Sequence, residues 1–223
     1  MNERSITAVS VFGPVTTLTP DERKAIRAKL PGSSARRFTD VSLAIAEAME
    51  QIEMGPDDDI VFASSWGGTM GLETYLASFP NPSPASFQSA VHAGPLESVL
   101  VARKQPLRRL QSIGNLPQTL IPASLRALFQ SDAATVHLIV AEEYNPWLHE
   151  HGLCGEHTFA GHLRLSKDQD HGVLGRLTHQ DPEAMDESAT PPLLSDAFCQ
   201  QLRLRQPFRV GSACFGAFTL TWQ

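Results

Sequence analysis

Apolar and polar positions alternate in blocks through the first 165 residues, and the period of the alternation switches between two and about 3.6. Ile6 to Phe12 is a β-branched run closed by Gly13-Pro14 and reads as a strand. Residues 15–36 are loop-like, apart from a short charged helical piece, DERKAIRAKL, that Pro31-Gly32 stops. Asp40 is placed to cap the next helix, in which Val41, Ile45, Ala48, Met49 and Ile52 share one face before Gly55-Pro56. Asp59 to Ser64 is an apolar strand running into Ser64-Ser65-Trp66-Gly67-Gly68, and Leu72, Tyr75 and Leu76 suggest a short helix after that turn. Ser83-Pro84 opens a further helix, because Pro is suited to a first turn whose N–H has no partner. Phe87, Val91, Leu96, Val99 and Leu100 carry it to about Lys104, with a kink expected at Gly94-Pro95.

Leu107 to Ile113 is strand-like, and 117–130 is helical with Leu120, Leu125 and Leu128 apolar. Thr135 to Ala141 and Thr158 to Leu165 read as strands. After Lys167 the large apolar residues thin out, so 168–207 is expected to be an irregular excursion, and 208–222 a C-terminal strand. The pattern predicts an α/β protein, helices layered on a sheet, as one domain over 1–223 with its core in about 1–166.

Composition narrows the class. The chain has 223 residues, 42% of them hydrophobic, as an ordinary globular protein does. With 18 Lys+Arg against 24 Asp+Glu the net charge is −6, which argues against a broad nucleic-acid surface. Three Cys make no disulfide framework and suit free thiols in a reducing cytosol. The apolar run in MNERSITAVSVFGPV is too short for a signal peptide, and no run of about 18 apolar residues exists to span a membrane. A cytoplasmic location is expected.

Five segments, in order, carry a family likeness: ARRFTDVSLAIAEAM, DIVFASSWGG, SPASFQSAVHAGPLESV, LRRLQSIGN and VHLIVAEE. Over roughly residues 35–165 they resemble the N-terminal half of the β-ketoacyl synthases, condensing enzymes of the thiolase-like fold, and above all the divergent subgroup called chain length factors. The matching features are a basic pair opening a helix, a strand ending in a small-residue Gly turn, and a Pro-Xaa-Xaa-Phe helix carrying a Val-His pair. A strand leading to the nucleophile elbow and a strand ending in acidic residues follow. The tail GSACFGAFTLTWQ is similar to a contracted Phe-Gly-Phe-Gly-Gly loop and final strand. The resemblance implies a thiolase-like half-fold with helices on a mixed sheet.

The departures matter most. A condensing enzyme needs a Cys thiolate at the tight strand-to-helix turn, where a helix N-terminus lowers its pKa and backbone N–H groups meet the oxyanion. That position falls on Gly114, between Ser112 and Asn115, and none of the three Cys is near it. The family's paired His lie in its C-terminal half, and fewer than 60 residues follow the matched part. The resemblance therefore implies a catalytically inactive chain-length-factor subunit with no cofactor. It would pair with a Cys-bearing β-ketoacyl synthase in type II fatty-acid, polyketide or aryl-polyene biosynthesis and shape its acyl tunnel. Acyl groups would arrive on acyl carrier protein. Phe87, Val91, His92, Leu96, Leu107, Leu110 and Ile113 are the expected interface or tunnel residues. The basic cluster Arg103, Lys104, Arg108 and Arg109 is the expected contact to the carrier protein or the partner, against its plainer reading as a solvated helix end.

Two motifs support a different class, an independent small hydrolase. His149, His151, Cys154 and His157 are ligand types that Zn²⁺ prefers, although the spacing fits no zinc motif and Gly152 and Gly155 make the segment loop-like. Ser65 lies in a Ser-Ser-Trp-Gly-Gly turn similar to a serine elbow, but without the G-x-S-x-G pattern.

Overall fold

A single mixed sheet of eight strands, in the order β3-β2-β4-β5-β1-β6-β8-β7, runs through the molecule. The computed structural model describes residues 2–31, 34–168, 172–181 and 192–223. The strands are β1 (Asn2–Val15), β2 (Asp59–Ala63), β3 (Arg109–Ile113), β4 (Thr135–Glu142), β5 (Thr158–Ser166), β6 (Gly175–Gln180), β7 (Phe208–Ser212) and β8 (Gly216–Trp222). The helices are α1 (Pro20–Ala28), α2 (Asp40–Ala48), α3 (Thr69–Ala77), α4 (Pro84–Ala90), α5 (Gly94–Arg103), α6 (Pro117–Gln130), α7 (Pro146–Glu150) and α8 (Ser195–Leu204). β2 is parallel to both β3 and β4, and every other pairing is antiparallel.

Strand periodicity divides the core in two. Val136, Leu138 and Val140 of β4 point to one face with Val61, Ala63, Leu163 and Leu165, where α6 and α8 cover them through Leu125, Leu128, Phe198 and Leu202. Ile139 and Ala141 point to the other face with Ile60 and Phe62, under Leu43 and Ile45 of α2 and Leu96 and Val99 of α5. Both faces of the central strands are covered, which is why β2 and β4 read as near-continuous apolar runs.

Several expectations change. Thr39, not Asp40, caps α2, accepting the Ser42 N–H, while Asp40 accepts the Leu18 N–H and pairs with Arg23. The kinked helix from Ser83 to Lys104 is two helices, α4 and α5, separated at Val91–Ala93. The segment 168–207 is not wholly irregular: its described part contains β6 and α8, and α8 sends Phe198 and Leu202 into the first core. Residues 169–171 and 182–191 of that segment lie outside the described ones. The terminal stretch 208–222 is not one strand but the hairpin β7–β8, with Phe215 at its turn.

Candidate functional site

Three connections meet where the parallel strands β2 and β3 end. They are the turn from β2 to α3 (Ser64–Gly68), the break between α4 and α5 (Val91–Ala93), and the strand-to-helix turn from β3 to α6 (Gly114–Leu116). The first is drawn against the second by glycine. Gly67 has a φ of +67°, and a Cβ there would stand 2.8 Å from the His92 carbonyl oxygen and 2.9 Å from its Cα.

That contact sets His92 over the third turn. Its Nε2 lies 2.9 Å from the Ser64 carbonyl oxygen and its Nδ1 2.6 Å from Ser112 Oγ. A carbonyl can only accept, so Nε2 carries the proton and donates to it. Nδ1 then accepts from the Ser112 hydroxyl. The ring also meets Phe62 edge to face, with centroids 5.8 Å apart. A Cβ at Gly114 would stand 3.0 Å from His92 Nε2. The imidazole stands against the Cβ position at 114, closer than an ordinary Cβ contact.

Behind this turn, Glu142 ends β4 and Glu143 follows it. Glu142 accepts from the Ser65 N–H at 2.8 Å, Ser64 Oγ at 3.1 Å and Ser195 Oγ at 3.3 Å, tying the β2–α3 turn to the start of α8. Burial pushes its carboxyl above the usual carboxylate range against those three donors. Glu143, 5% exposed, accepts from the Met70 N–H at 2.9 Å and Thr69 Oγ1 at 3.3 Å, and burial pushes it up to about 7. The two acids border a cavity of about 310 Å³ that Trp66, Leu153, Cys154, His157 and Phe159 also line. Sequence reasoning gave them no role. The signal was present in VHLIVAEE, two adjacent acids closing an otherwise apolar strand.

The expected interface residues divide. Phe87 is 52% exposed and Val91 is exposed, and both line a groove of about 570 Å³ with Arg37 and Val101. His92, Leu107, Leu110 and Ile113 are half-buried, while Leu96 is fully buried in the second core. β3 itself is an edge strand, and no strand among the described residues pairs with its outer side.

The basic cluster is largely occupied within the chain. Arg103 donates to the Ala46 and Met49 carbonyls at the end of α2. Arg108 and Arg109 converge on buried Asp59, at 2.9 and 2.6 Å, and Arg108 also pairs with Asp132. Hydrogen bonds from Arg108 foremost, then Ser131 and Arg109, hold the Asp59 carboxyl well below the usual range. Of these four, Lys104, in a left-handed backbone conformation at the end of α5, is exposed and makes no ion pair among the described residues.

The hydrolase motifs are not assembled. The His149 Nδ1–H points to the Cys154 carbonyl at 3.4 Å, His151 stacks on Trp147 with centroids 4.3 Å apart, and His157 is exposed. Among the described residues no group of three His, Cys, Asp or Glu is placed to hold a metal ion. Ser65 donates its backbone N–H to Glu142, and no histidine among the described residues hydrogen-bonds to it. The Ser112–His92 pair is oriented by a neutral carbonyl, and Ser112 lines neither of the two cavities described above.

No family model matches the sequence, and no curated protein does. The fold is the thiolase-like α/β architecture of the ketosynthases. The chain matches, over 99% of its length and 100% of the other, a chain of the ketosynthase ApeO in complex with its chain length factor ApeC from Xenorhabdus doucetiae, at 20% identity and a TM-score of 0.63. A chain of the ishigamide ketosynthase/chain length factor is matched over 82% and 70% of the two lengths, at 12% identity and a TM-score of 0.56. A β-ketoacyl synthase from Burkholderia phymatum STM815 is matched over 92% and 70%, at 13% identity and 0.52.

Proposed function

We propose that the chain is a non-catalytic subunit of the chain-length-factor kind, which binds a Cys-bearing β-ketoacyl synthase and bounds the acyl tunnel of the pair. The observation that carries this reading is the β3–α6 turn. It has the strand–turn–helix geometry that activates a nucleophile, yet it presents Gly114, which has no side chain to form a thioester. The end-to-end match to a chain of a ketosynthase–chain length factor complex supports the reading. So does the open side of β3, a row of backbone donors and acceptors ready to accept another chain's strand.

The exposed Phe87 and Val91, and Leu116, 66% exposed at the start of α6, supply apolar surface for the contact. Acyl groups would arrive on acyl carrier protein held by the partner. Of the basic residues, Lys104 remains available for a carrier or partner contact. No helix among the described residues is long and apolar enough to cross a membrane, in keeping with a cytoplasmic role.

The test is co-expression with the ketosynthase encoded beside it, followed by affinity capture and light scattering. A one-to-one complex is expected, and Phe87→Asp combined with Leu116→Asp should abolish capture while shifting the thermal midpoint of the chain alone by no more than about 2 °C, as exposed positions do. A stable monomer that ignores the ketosynthase overturns the reading. No observation favours the hydrolase alternative.

A further inference from the structure

Glycine at 114 is not demanded by its own backbone. The residues with a left-handed φ include Gly13, Gly67, Gly152, Gly172 and Gly216, but not Gly114. In ordinary backbone, replacing Gly by Ala stabilises slightly by restricting the unfolded chain. What stands in the way of a side chain is His92, with Nε2 at 3.0 Å, Cδ2 at 3.4 Å and Cε1 at 3.7 Å from a Cβ there. The ring has little freedom to withdraw. Nε2–H is committed to Ser64, Nδ1 to Ser112, and one edge lies against Phe62. Moving it strains or breaks two hydrogen bonds, both at 2.9 Å or less.

The geometry assigns His92 the role of a fixed plug. It stands against the Cβ position at the strand-to-helix turn, and with both ring nitrogens engaged it offers neither a free proton nor a free lone pair to a reacting group there. The turn is thus closed to acyl transfer twice over, by the missing nucleophile and by the ring in its place, and restoring a thiol at 114 alone would not restore acyl loading. His92 is a positioning residue in this account, and its tie to Ser112 also fixes the last residues of β3. The inference deepens the reading above and rests on it for the identity of the acyl thioester that is kept out.

A thermodynamic cycle on the full chain tests it. Gly114→Ala should lower the thermal midpoint by about 3–8 °C with His92 in place, the effect of overpacking a filled site. In a His92→Ala background the same change should cost less than about 1 °C or raise the midpoint. Equal penalties in the two backgrounds overturn the plug. Chemical labelling gives the readout that a merely structural residue would not move. The thiol introduced by Gly114→Cys is titrated with iodoacetamide and located by peptide mapping, with exposed Cys214 as internal reference. It should react about ten-fold faster once His92→Ala is added, since reactivity follows access. A thiol that reacts faster with His92 present shows a ring free to take its proton, and also overturns the proposal. Should His92→Ala not fold, His92→Asn keeps a donor for Ser64 while withdrawing the ring edge. Neither readout involves the ketosynthase, so a failed plug and a failed partner assignment give different results.

Discussion

His137 Nδ1 and His162 Nε2 lie 2.8 Å apart across the β4–β5 ladder, both rings wholly shielded from water. The other nitrogen of His137 lies 3.0 Å from Asp58 Oδ2, and a carboxylate there makes it the donor. Nδ1 of His137 therefore accepts from Nε2–H of His162, and the chain of bonds runs in one direction into the Asp58 carboxylate, whose Oδ2 also accepts the Gly55 N–H.

Burial lowers both imidazole pKa values, His162 the more strongly, with Arg164 adding to the effect on both. Arg103 and the charge of His137 push His162 further down, while Asp58 pulls His137 back up. The unfolded state thus binds more protons than the folded one below about pH 6.5, the ordinary histidine value, and stability falls as pH drops through that point. Over pH 8 to pH 5 this contribution opposes that of the buried glutamates, so chemical denaturation of parent and His162→Gln should diverge on the acid side, the variant losing less stability on acidification than the parent. An unchanged slope in the variant would remove the pair from the account.

Glu143 acts with the opposite sign. Its carboxyl is held protonated up to about pH 7, whereas an unfolded Glu ionises from 4.5, so the folded state binds the extra proton and stability declines as pH rises between those values. The interval corresponds to at most about 3 kcal/mol at pH 8. Glu143→Gln keeps an oxygen to accept from Met70 and Thr69. It should raise the thermal midpoint at pH 8 and leave it unchanged at pH 4.5. A variant no more stable than the parent at pH 8 would show that the carboxylate is already satisfied there.

Phe198 of α8 is fully buried, between the sheet and Phe208, whose ring centroid lies 5.3 Å away. Phe198→Ala should cost about 3–5 kcal/mol in urea unfolding, as deletion of a core aromatic does. A cost under about 1 kcal/mol would mean that α8 only rests on the surface and that the core ends with β5.

Much of the sheet was legible because its central strands are buried on both faces. β2, β4 and β5 are unbroken apolar or alternating runs, and α6 sits within its expected bounds. The far side of the sheet was not. β6 contains Arg176, Thr178 and Gln180 because only alternate residues such as Leu177 meet the core, so its composition resembles a loop. The β7–β8 hairpin turns within Ser212–Gly216, inside a stretch apolar enough to read as one strand.

At the site, the family likeness located Gly114, but its opposition to His92 depends on a helix break at Val91–Ala93, far back in the chain. Arg108 and Arg109 looked free in sequence. Asp59, 50 residues before Arg109, claims them only because β2 and β3 pair in parallel with Asp59 opposite Arg109.

β1 gives the chain an unusual history during synthesis. Val15 pairs with Thr158 and Asn2 with His179, so β1 is made well before either of its partner strands. At ribosomal speed, Ile6, Val9, Val11 and Phe12 wait on the order of ten seconds for their neighbours to emerge. A strand of that character, unpaired for that time, invites association between nascent chains. The demand on folding thus falls on the long separation between β1 and its partners rather than on the parallel centre, and a chaperone that holds β1 until β5 and β6 have emerged would raise the soluble yield more than one acting after release.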